Sequence, residues 1–318
     1  MAKRVISGFV YGLILVCVGA LKAFFGAQYN YAGNLVFDAF ITFLAIVGTF
    51  EITRAFRDNI TKTQRAMVMT FSALVIPACS LAEFFYGYGL IVACACFFVV
   101  ALAILSLLVF RHEETTIESV GASLFAAVYP SFLLTIMVLA NHLGSAPFEG
   151  GYMLIGKTGE VAFNGNLAIL LVFVISPMSD VFAFFFGISL KKVFPRKLAP
   201  KLSPNKTVIG FIGGLVGGAI SCAAIYFIYN LVLQFVFKTA SYLDQTYIWL
   251  PVYMAIGMLV SLSTCLGDLL ESSIKRKKGI KDMGKIMPGH GGVLDRIDGT
   301  IVATVVVYVC LLIVHIFI

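Results

Sequence analysis

The sequence predicts an all-α, polytopic integral membrane protein with about nine transmembrane helices and a cytoplasmic N-terminus. Of its 318 residues, 60% are hydrophobic and only 12% are charged, and the mean hydropathy is +0.98. Soluble domains are about 45–50% apolar and about 25% charged, so this chain has too little polar surface for a water-soluble fold. Its net charge of +7 is typical of basic loops beside anionic lipid and predicts no nucleic acid partner.

Long apolar runs define the elements in chain order. A helix needs about 20 mostly apolar residues to cross the hydrocarbon layer, and each predicted span is a run of about that length. The spans are 5–26, 34–51, 66–83, 88–110, 121–142, 166–190, 207–236, 247–269 and 299–318. We divide them into an N-terminal group, residues 1–165, and a C-terminal group, residues 166–318, where the polar motifs concentrate.

The positive charges predict the orientation of these helices. Short loops rich in lysine and arginine stay on the cytoplasmic side of a membrane. With the N-terminus inside, all of the 23 lysines and arginines fall in cytoplasmic segments except Lys22, Lys157 and Lys238. This distribution supports an odd number of spans, and the compact basic loops favour a bacterial inner membrane.

Carboxylates in the last spans are informative, because an ionisable group inside a membrane is costly unless it is paired or functional. Three of the last four spans bring carboxylates to the predicted cytoplasmic face. They are Asp180 in the sixth, Asp268 and Glu271 in the eighth, and Asp295 and Asp298 in the ninth. Pairing of Asp180 with Lys191 or Lys192 is an alternative. In the first half, Asp38, Glu51 and Glu83 are interpreted as interfacial or helix-end residues.

The stretch PGHGGVLDRID, residues 288–298, precedes the last span and combines three kinds of group. Carboxylates suit Mg²⁺ with a substrate phosphate completing its shell, arginine holds phosphate oxygens, and glycine lets backbone N–H groups approach a phosphate. His290 adds a donor or proton carrier. The combination predicts metal-assisted phosphoryl or nucleotidyl transfer. Positive-inside lysines and a helix cap at Asp298 are the alternative, but they leave His290, Gly291 and Gly292 unexplained.

At these residues the chain resembles the phosphatidate cytidylyltransferases, also called CDP-diacylglycerol synthases. Their signature is S-x-x-K-R, four residues, K-D, five residues, then P-x-H-G-G-x-x-D-R-x-D. The matching positions are Ser272, Lys275, Arg276, Lys281, Asp282, Pro288, His290, Gly291, Gly292, Asp295, Arg296 and Asp298. A looser match covers DVFAFFFG from Asp180 and LSPNKTVIGFIGG from Leu202, where Asn205 and Ile209 replace a lysine and a glutamate of the family pattern.

The resemblance implies transfer of a cytidylyl group from CTP to phosphatidate, a membrane lipid, with Mg²⁺, either alone or with a second cation, as cofactor. It also suggests a homodimer and an active site facing the cytoplasm. The implied metal ligands are Asp268, Asp295 and Asp298, and His290 joins them as a catalytic residue. The implied substrate-binding residues are Asp180, Ser203, Lys206, Thr207, Lys275, Arg276, Lys281, Gly291, Gly292 and Arg296.

Three alternatives stay open at this point. The chain could act on a different lipid phosphate or nucleotide, or be a non-catalytic relative, given Asn205 and Ile209. A cation-coupled transporter could also use Asp180 beside the helix-kinking Pro177. That transporter would tolerate mutation of residues 288–298.

Overall fold

The computed structural model describes residues 2–28, 33–144, 164–237, 243, 246–286 and 291–316, and helices dominate them. The helices are α1 (Ala2–Gln28), α2 (Gly33–Ala55), α3 (Lys62–Tyr86), α4 (Gly89–Phe110), α5 (Ile117–Ala126), α6 (Leu133–Asn141), α7 (Gly165–Leu190), α8 (Val208–Val232), α9 (Thr246–Lys277) and α10 (Leu294–Ile316). A π-helical segment, Ala127–Phe132, joins α5 to α6, and another, Leu233–Phe237, extends α8. Two short strands, β1 (Lys197–Ala199) and β2 (Ser203–Thr207), precede α8.

The predicted all-α, polytopic membrane architecture is confirmed. Within the described residues, eight helices are long and apolar enough to cross a membrane, with α5 and α6 forming one continuous span. They correspond to the second through ninth predicted spans. The first predicted span falls in α1, whose described apolar part, Gly12–Phe25, is shorter than the others, so crossing by α1 stays a prediction.

Two helix ends differ most from the sequence prediction, both beside charged residues. Helix α9 continues to Lys277, past the predicted end at 269, because its polar residues follow one another along a helix face at i, i+3 and i+7. Helix α10 begins at Leu294 rather than 299, with Asp295 in its first turn. A span predicted from hydropathy stops at the first charged residues, whereas the helix itself continues through them.

The chain forms two compact units. The first consists of Met1–Leu154 and Lys277–Ile297, and the second of Ile155–Arg276 and Asp298–Ile318. The predicted functional division at residue 165 stays a prediction.

A buried polar network crosses the first unit and gives Asp38, interpreted from the sequence as an interfacial or helix-end residue, a set of buried partners. The Asp38 side chain, 2% exposed, accepts hydrogen bonds from Asn141 Nδ2 at 2.7 Å and Ser80 Oγ at 2.5 Å. His142 Nε2 lies 2.7 Å from the same carboxylate, and Lys22 donates to Asn141. The network ties α1, α2, α3 and the end of α6 together.

Close packing of α7 on α8 organises the second unit. A Cβ atom added at Gly213 or Gly217 would overlap the rings of Phe186 and Phe182. The glycines of α8 recur at four-residue spacing, a pattern that permits close approach between helices. The ends of α7 and α8 are therefore held together, and the β1–β2 hairpin connects them.

Candidate active site

The β-hairpin presents a lysine to the far end of α9. Strands β1 and β2 pair antiparallel, with Lys197 opposite Thr207 and Ala199 opposite Ser203. Lys206 Nζ forms an ion pair with Asp268 Oδ2. The two side chains are 26% and 32% exposed, so solvent or a solute can reach both partners of the pair.

The environment of Lys206 keeps its side chain charged. Burial on its own would lower the pKa of the Lys206 ammonium, but the charge and the hydrogen bond of Asp268, together with smaller contributions that include Asp180, outweigh burial. The pKa therefore lies above its ordinary value. A permanently charged ammonium beside an accessible carboxylate is suited to exchanging that partner for another anion.

Neighbouring Thr207 has a structural contact that accounts for its position. Its hydroxyl accepts a hydrogen bond of 3.1 Å from Gly210 N and caps the start of α8. Ser203, at the start of β2, is half-buried. The predicted substrate-binding roles of both residues stay predictions.

A second group of charges lies one turn further along α9. Glu271 is fully buried, and Lys275 Nζ donates to its Oε2 at 2.9 Å. The side chain of Asp298, near the start of α10, lies beside that of Glu271. The helices approach closely there, because a Cβ at Gly267 would lie 2.5 Å from the carbonyl oxygen of Asp298. Two carboxylates in contact need a proton or a cation between them.

The last turn of α9 also contacts the hairpin. Arg276 Nε donates to the carbonyl oxygen of Leu202 at 3.3 Å, and Asp180 is exposed on α7. The second unit therefore gathers signature residues from four separate segments around the end of α9. They are Asp180, Lys206, Asp268, Lys275, Arg276 and Asp298.

In the first unit, Asp295 holds the signature backbone. Its Oδ2 accepts hydrogen bonds from Met283 N at 2.9 Å and Gly292 N at 2.7 Å. Gly291 has φ +88°, a conformation that favours glycine, and a Cβ there would lie 2.7 Å from Asp295 Oδ2. Gly291 therefore serves this tight turn, whatever it contributes to substrate binding.

Glu51 of α2 makes the other carboxylate contact with this segment. Its two oxygens accept Val293 N at 3.1 Å and Leu294 N at 2.8 Å. With 1% exposure, Glu51 is a buried partner of the signature; of the two roles interpreted for it, interfacial or helix-end, it has the second, at the start of α10. The carboxylate also occupies the space beside Gly292, where the sequence suggested room for a phosphate.

Lys281, Arg296 and His290 are the remaining predicted site residues of the signature. Lys281 and Arg296 are exposed, as cationic phosphate ligands need to be. His290 lies outside the described residues. The roles predicted for all three stay predictions.

The metal prediction can be compared with the donor atoms that are present. Among the described residues, no three histidine, cysteine, aspartate or glutamate side chains form a ready metal site. The carboxylate chemistry of the second unit nevertheless suits a hard cation such as Mg²⁺, since Asp268 is accessible and Asp298 contacts a second carboxylate. Asp295 commits one oxygen to two backbone donors. Binding of Mg²⁺ by Asp268, Asp295 and Asp298 stays a prediction.

Sequence reasoning noted Glu271 among the converging carboxylates without giving it a role in the site, and it missed the contact of Glu51 with the signature. Glu271 shares a helix face with Asp268 and Lys275, and full burial of a glutamate marks it as a member of the cluster. Glu51 is an ionisable residue at the end of a predicted span, which is a functional indication by itself. Nothing in the linear sequence linked it to residues 293 and 294.

Together, the fold and this site define a polytopic helical membrane protein with charged clusters near the ends of its spans. The chain belongs to the cytidylyltransferase family, whose sequence profile matches residues 3–314. Over 141 residues it is 39% identical to the phosphatidate cytidylyltransferase of Staphylococcus aureus strain COL, covering 44% of this chain and 46% of that one. Over 120 residues it is 44% identical to the phosphatidate cytidylyltransferase of Bacillus subtilis strain 168, covering 38% of each chain. The chain thus spans less than half the length of the curated relatives it matches.

Proposed function

We propose that this protein transfers the cytidylyl group of CTP to phosphatidate, giving CDP-diacylglycerol and pyrophosphate. The observation that carries the proposal is the pairing of Lys206 with Asp268, which joins the LSPNKT segment to the turn of α9 that precedes the S-x-x-K-R signature. A cation and a carboxylate, both accessible, suit a reaction between two phosphorylated substrates. The names of the bacterial relatives support the same reaction.

The chemistry needs positioning more than proton transfer. A phosphate oxygen of the lipid attacks the α-phosphorus of CTP, the new P–O bond forms, and the bond from the α-phosphorus to the bridging oxygen breaks. The electron pair of that bond leaves with pyrophosphate. The attacking oxygen is already anionic near neutral pH, so no strong general base is needed. Catalysis then depends on orientation and on neutralising the phosphate charges.

The described residues divide these tasks by their charge. Lys206, which interacts with Asp180, suits the lipid phosphate, with Ser203 of the same strand as a predicted contact, whereas Lys275 and Arg276 suit the phosphates of CTP. Lys281 and Arg296 of the first unit stay predicted phosphate ligands, and His290 a predicted catalytic residue. Asp268 and Asp298, with Asp295, would hold Mg²⁺, which supplies charge neutralisation at the α-phosphate and pyrophosphate oxygens when bound.

The proposed setting is a bacterial inner membrane, with the site facing the cytoplasm and the enzyme acting as a homodimer. CTP is soluble in the cytosol and the lipid headgroup lies at the membrane surface. The contact between Arg276 and Leu202 and the pair between Lys206 and Asp268 join the basic hairpin segment to the end of α9, where Lys275 and Arg276 lie. Basic segments of this kind stay on the cytoplasmic side.

A transfer assay on the purified full chain tests the proposal. We expect radioactive phosphorus at the α position of CTP to enter lipid only when phosphatidate and Mg²⁺ are both present. Asp268→Asn should lower kcat by about 100-fold or more, because it removes a charge on which transition-state stabilisation depends. Asp58→Asn is the matched control, since that side chain is 85% exposed and should leave the rate unchanged.

Two results would contradict the proposal. Full activity in Asp268→Asn would show that the Lys206–Asp268 pair takes no part in the reaction. Absence of labelled lipid from folded wild-type protein would show that phosphatidate is not the substrate. Replacing phosphatidate by other lipid phosphates, and CTP by other nucleotides, then tests the nearest enzymatic alternative. The cation-coupled transporter is disfavoured by membership of the cytidylyltransferase family.

A further inference from the structure

One carboxylate from the second helix contacts the signature on both sides of residues 287–290. Glu51 accepts the backbone N–H groups of Val293 and Leu294. The same side chain fills the space where Gly284 and Gly292 have no side chain, and a Cβ at either glycine would overlap its carboxylate. The two glycines therefore make room for Glu51, and the contact depends on three separate stretches of the chain.

This contact also occupies the N-terminus of α10. The first N–H groups of a helix have no partner within it, and the helix dipole favours a negative charge there. Glu51 supplies that charge from inside the protein, with 1% exposure. The amides of Val293 and Leu294 are consequently used for holding the signature in place.

Asp295 completes the arrangement from inside the signature itself. It accepts the N–H groups of Met283 and Gly292, so two carboxylates together accept four backbone donors. These four donors lie on the two stretches that flank residues 287–290. Of the two carboxylates, Asp295 belongs to the family signature and Glu51 lies some 240 residues before it in a helix with no signature residue.

We propose that Glu51 is a positioning residue, which fixes the backbone around Gly284 and Gly292–Leu294 so that the signature side chains meet the substrates. The inference rests on the proposed cytidylyl transfer, because positioning has a kinetic effect only if the signature takes part in the reaction. Glu51 itself touches neither the lipid phosphate nor the phosphates of CTP, and acts through the backbone of the signature.

Glu51→Gln is the direct test. The amide keeps the shape of the side chain but replaces one acceptor by an N–H₂ group, which faces a backbone N–H. We expect kcat to fall about 100-fold, as displacement of a reacting group can produce, while the KM for CTP changes less. Hydrogen exchange at the amides of Val293 and Leu294 should accelerate, and Glu51→Asp, which retains the charge, should recover part of both properties.

The chain offers a close control in Glu83→Gln. Glu83 of α3 also accepts the first N–H of a helix, that of Gly89 in α4, at 2.9 Å, and a Cβ at Gly89 would lie 2.7 Å from its Oε2. The substitution and the type of contact are the same, but the signature is not involved. We expect Glu83→Gln to retain the wild-type kcat per folded molecule.

The measurements separate this inference from the proposed reaction. If the wild type makes no labelled lipid, the proposed function fails, yet exchange at residues 293 and 294 still reports whether Glu51 fixes the backbone. Unchanged exchange in Glu51→Gln, or an equal loss of kcat in Glu83→Gln, would overturn the inference. Should Glu51→Gln fail to fold, Gly284→Ala displaces the carboxylate from the opposite side and must show the same accelerated exchange.

Discussion

Lys206 illustrates how a single charge is adapted to its task in the second unit. Its ion pair with Asp268 raises its pKa above the ordinary value in spite of burial. The ammonium is therefore charged at every pH below its ordinary value of about 10.4, and it loses its proton only as the pH rises through the raised pKa. Activity between neutral pH and that limit should show no decrease that arises from Lys206.

Removal of this charge should weaken lipid binding more than nucleotide binding. We expect Lys206→Met to raise the KM for phosphatidate by about 10- to 100-fold, the equivalent of one charge-assisted hydrogen bond, with a smaller effect on the KM for CTP. Lys201→Met, an exposed lysine of the same connection, is the control. A larger change in the KM for CTP would mean that Lys206 binds the nucleotide and not the lipid phosphate.

Contacts between site residues could be predicted from the sequence where the residues lie close together on one helix. Asp268 and Lys275 share a face because a helix repeats every 3.6 residues, and this shared face follows from the sequence alone. Glu51 and Leu294 are 243 positions apart, and only the packing of the first unit joins them. The glycines at 284 and 292 give no hint of which side chain fills the space they leave.

At the scale of elements, α2 carries two buried carboxylates with different partners. Asp38 and Glu51 are separated by about 20 Å along the helix, from a rise of about 1.5 Å per residue. Glu51 holds the signature backbone, whereas Asp38 binds α3 and α6 through Ser80, Asn141 and His142. A helix with two such contacts fixes the position of the signature relative to the rest of the first unit.

The Asp38 network should contribute mainly to stability. Asp38→Asn leaves buried Lys22 and His142 without their carboxylate, and we expect the free energy of unfolding in detergent to fall by about 3 kcal/mol, as for a broken buried pair. Activity per folded molecule should be retained, because the network lies away from the signature. Asp58→Asn serves as the exposed control; an equal effect of the two variants would show that burial of the network is unimportant.

The helices were predictable because apolar length alone defines a membrane span. The β1–β2 hairpin was not predicted, since strands of three and five residues carry no periodic signal within a basic, proline-containing segment. The start of α10 was placed too late for a different reason. Its first turn contains Asp295 and Arg296, which hydropathy excludes, and its N-terminus is completed by a side chain from α2.

At the scale of the whole molecule, the distribution of positive charge predicts that α1 crosses the membrane. The described apolar part of α1 is short, but the distribution of lysine and arginine requires an odd number of crossings if the N-terminus is cytoplasmic. Eight crossings would place both termini on the same side. Nine crossings would place the C-terminus outside and the N-terminus inside.

Single-cysteine labelling of intact cells distinguishes these topologies once the seven native cysteines are replaced. With nine crossings, a reagent that does not enter the cell should label Tyr88→Cys and Ile318→Cys but neither Ala2→Cys nor Glu113→Cys. Labelling of Ala2→Cys with Glu113→Cys still protected would mean that α1 does not cross. Labelling of Glu113→Cys with Tyr88→Cys protected would mean that the predicted orientation is inverted. The Lys206–Asp268 pair would then lie on the face that cytosolic CTP cannot reach.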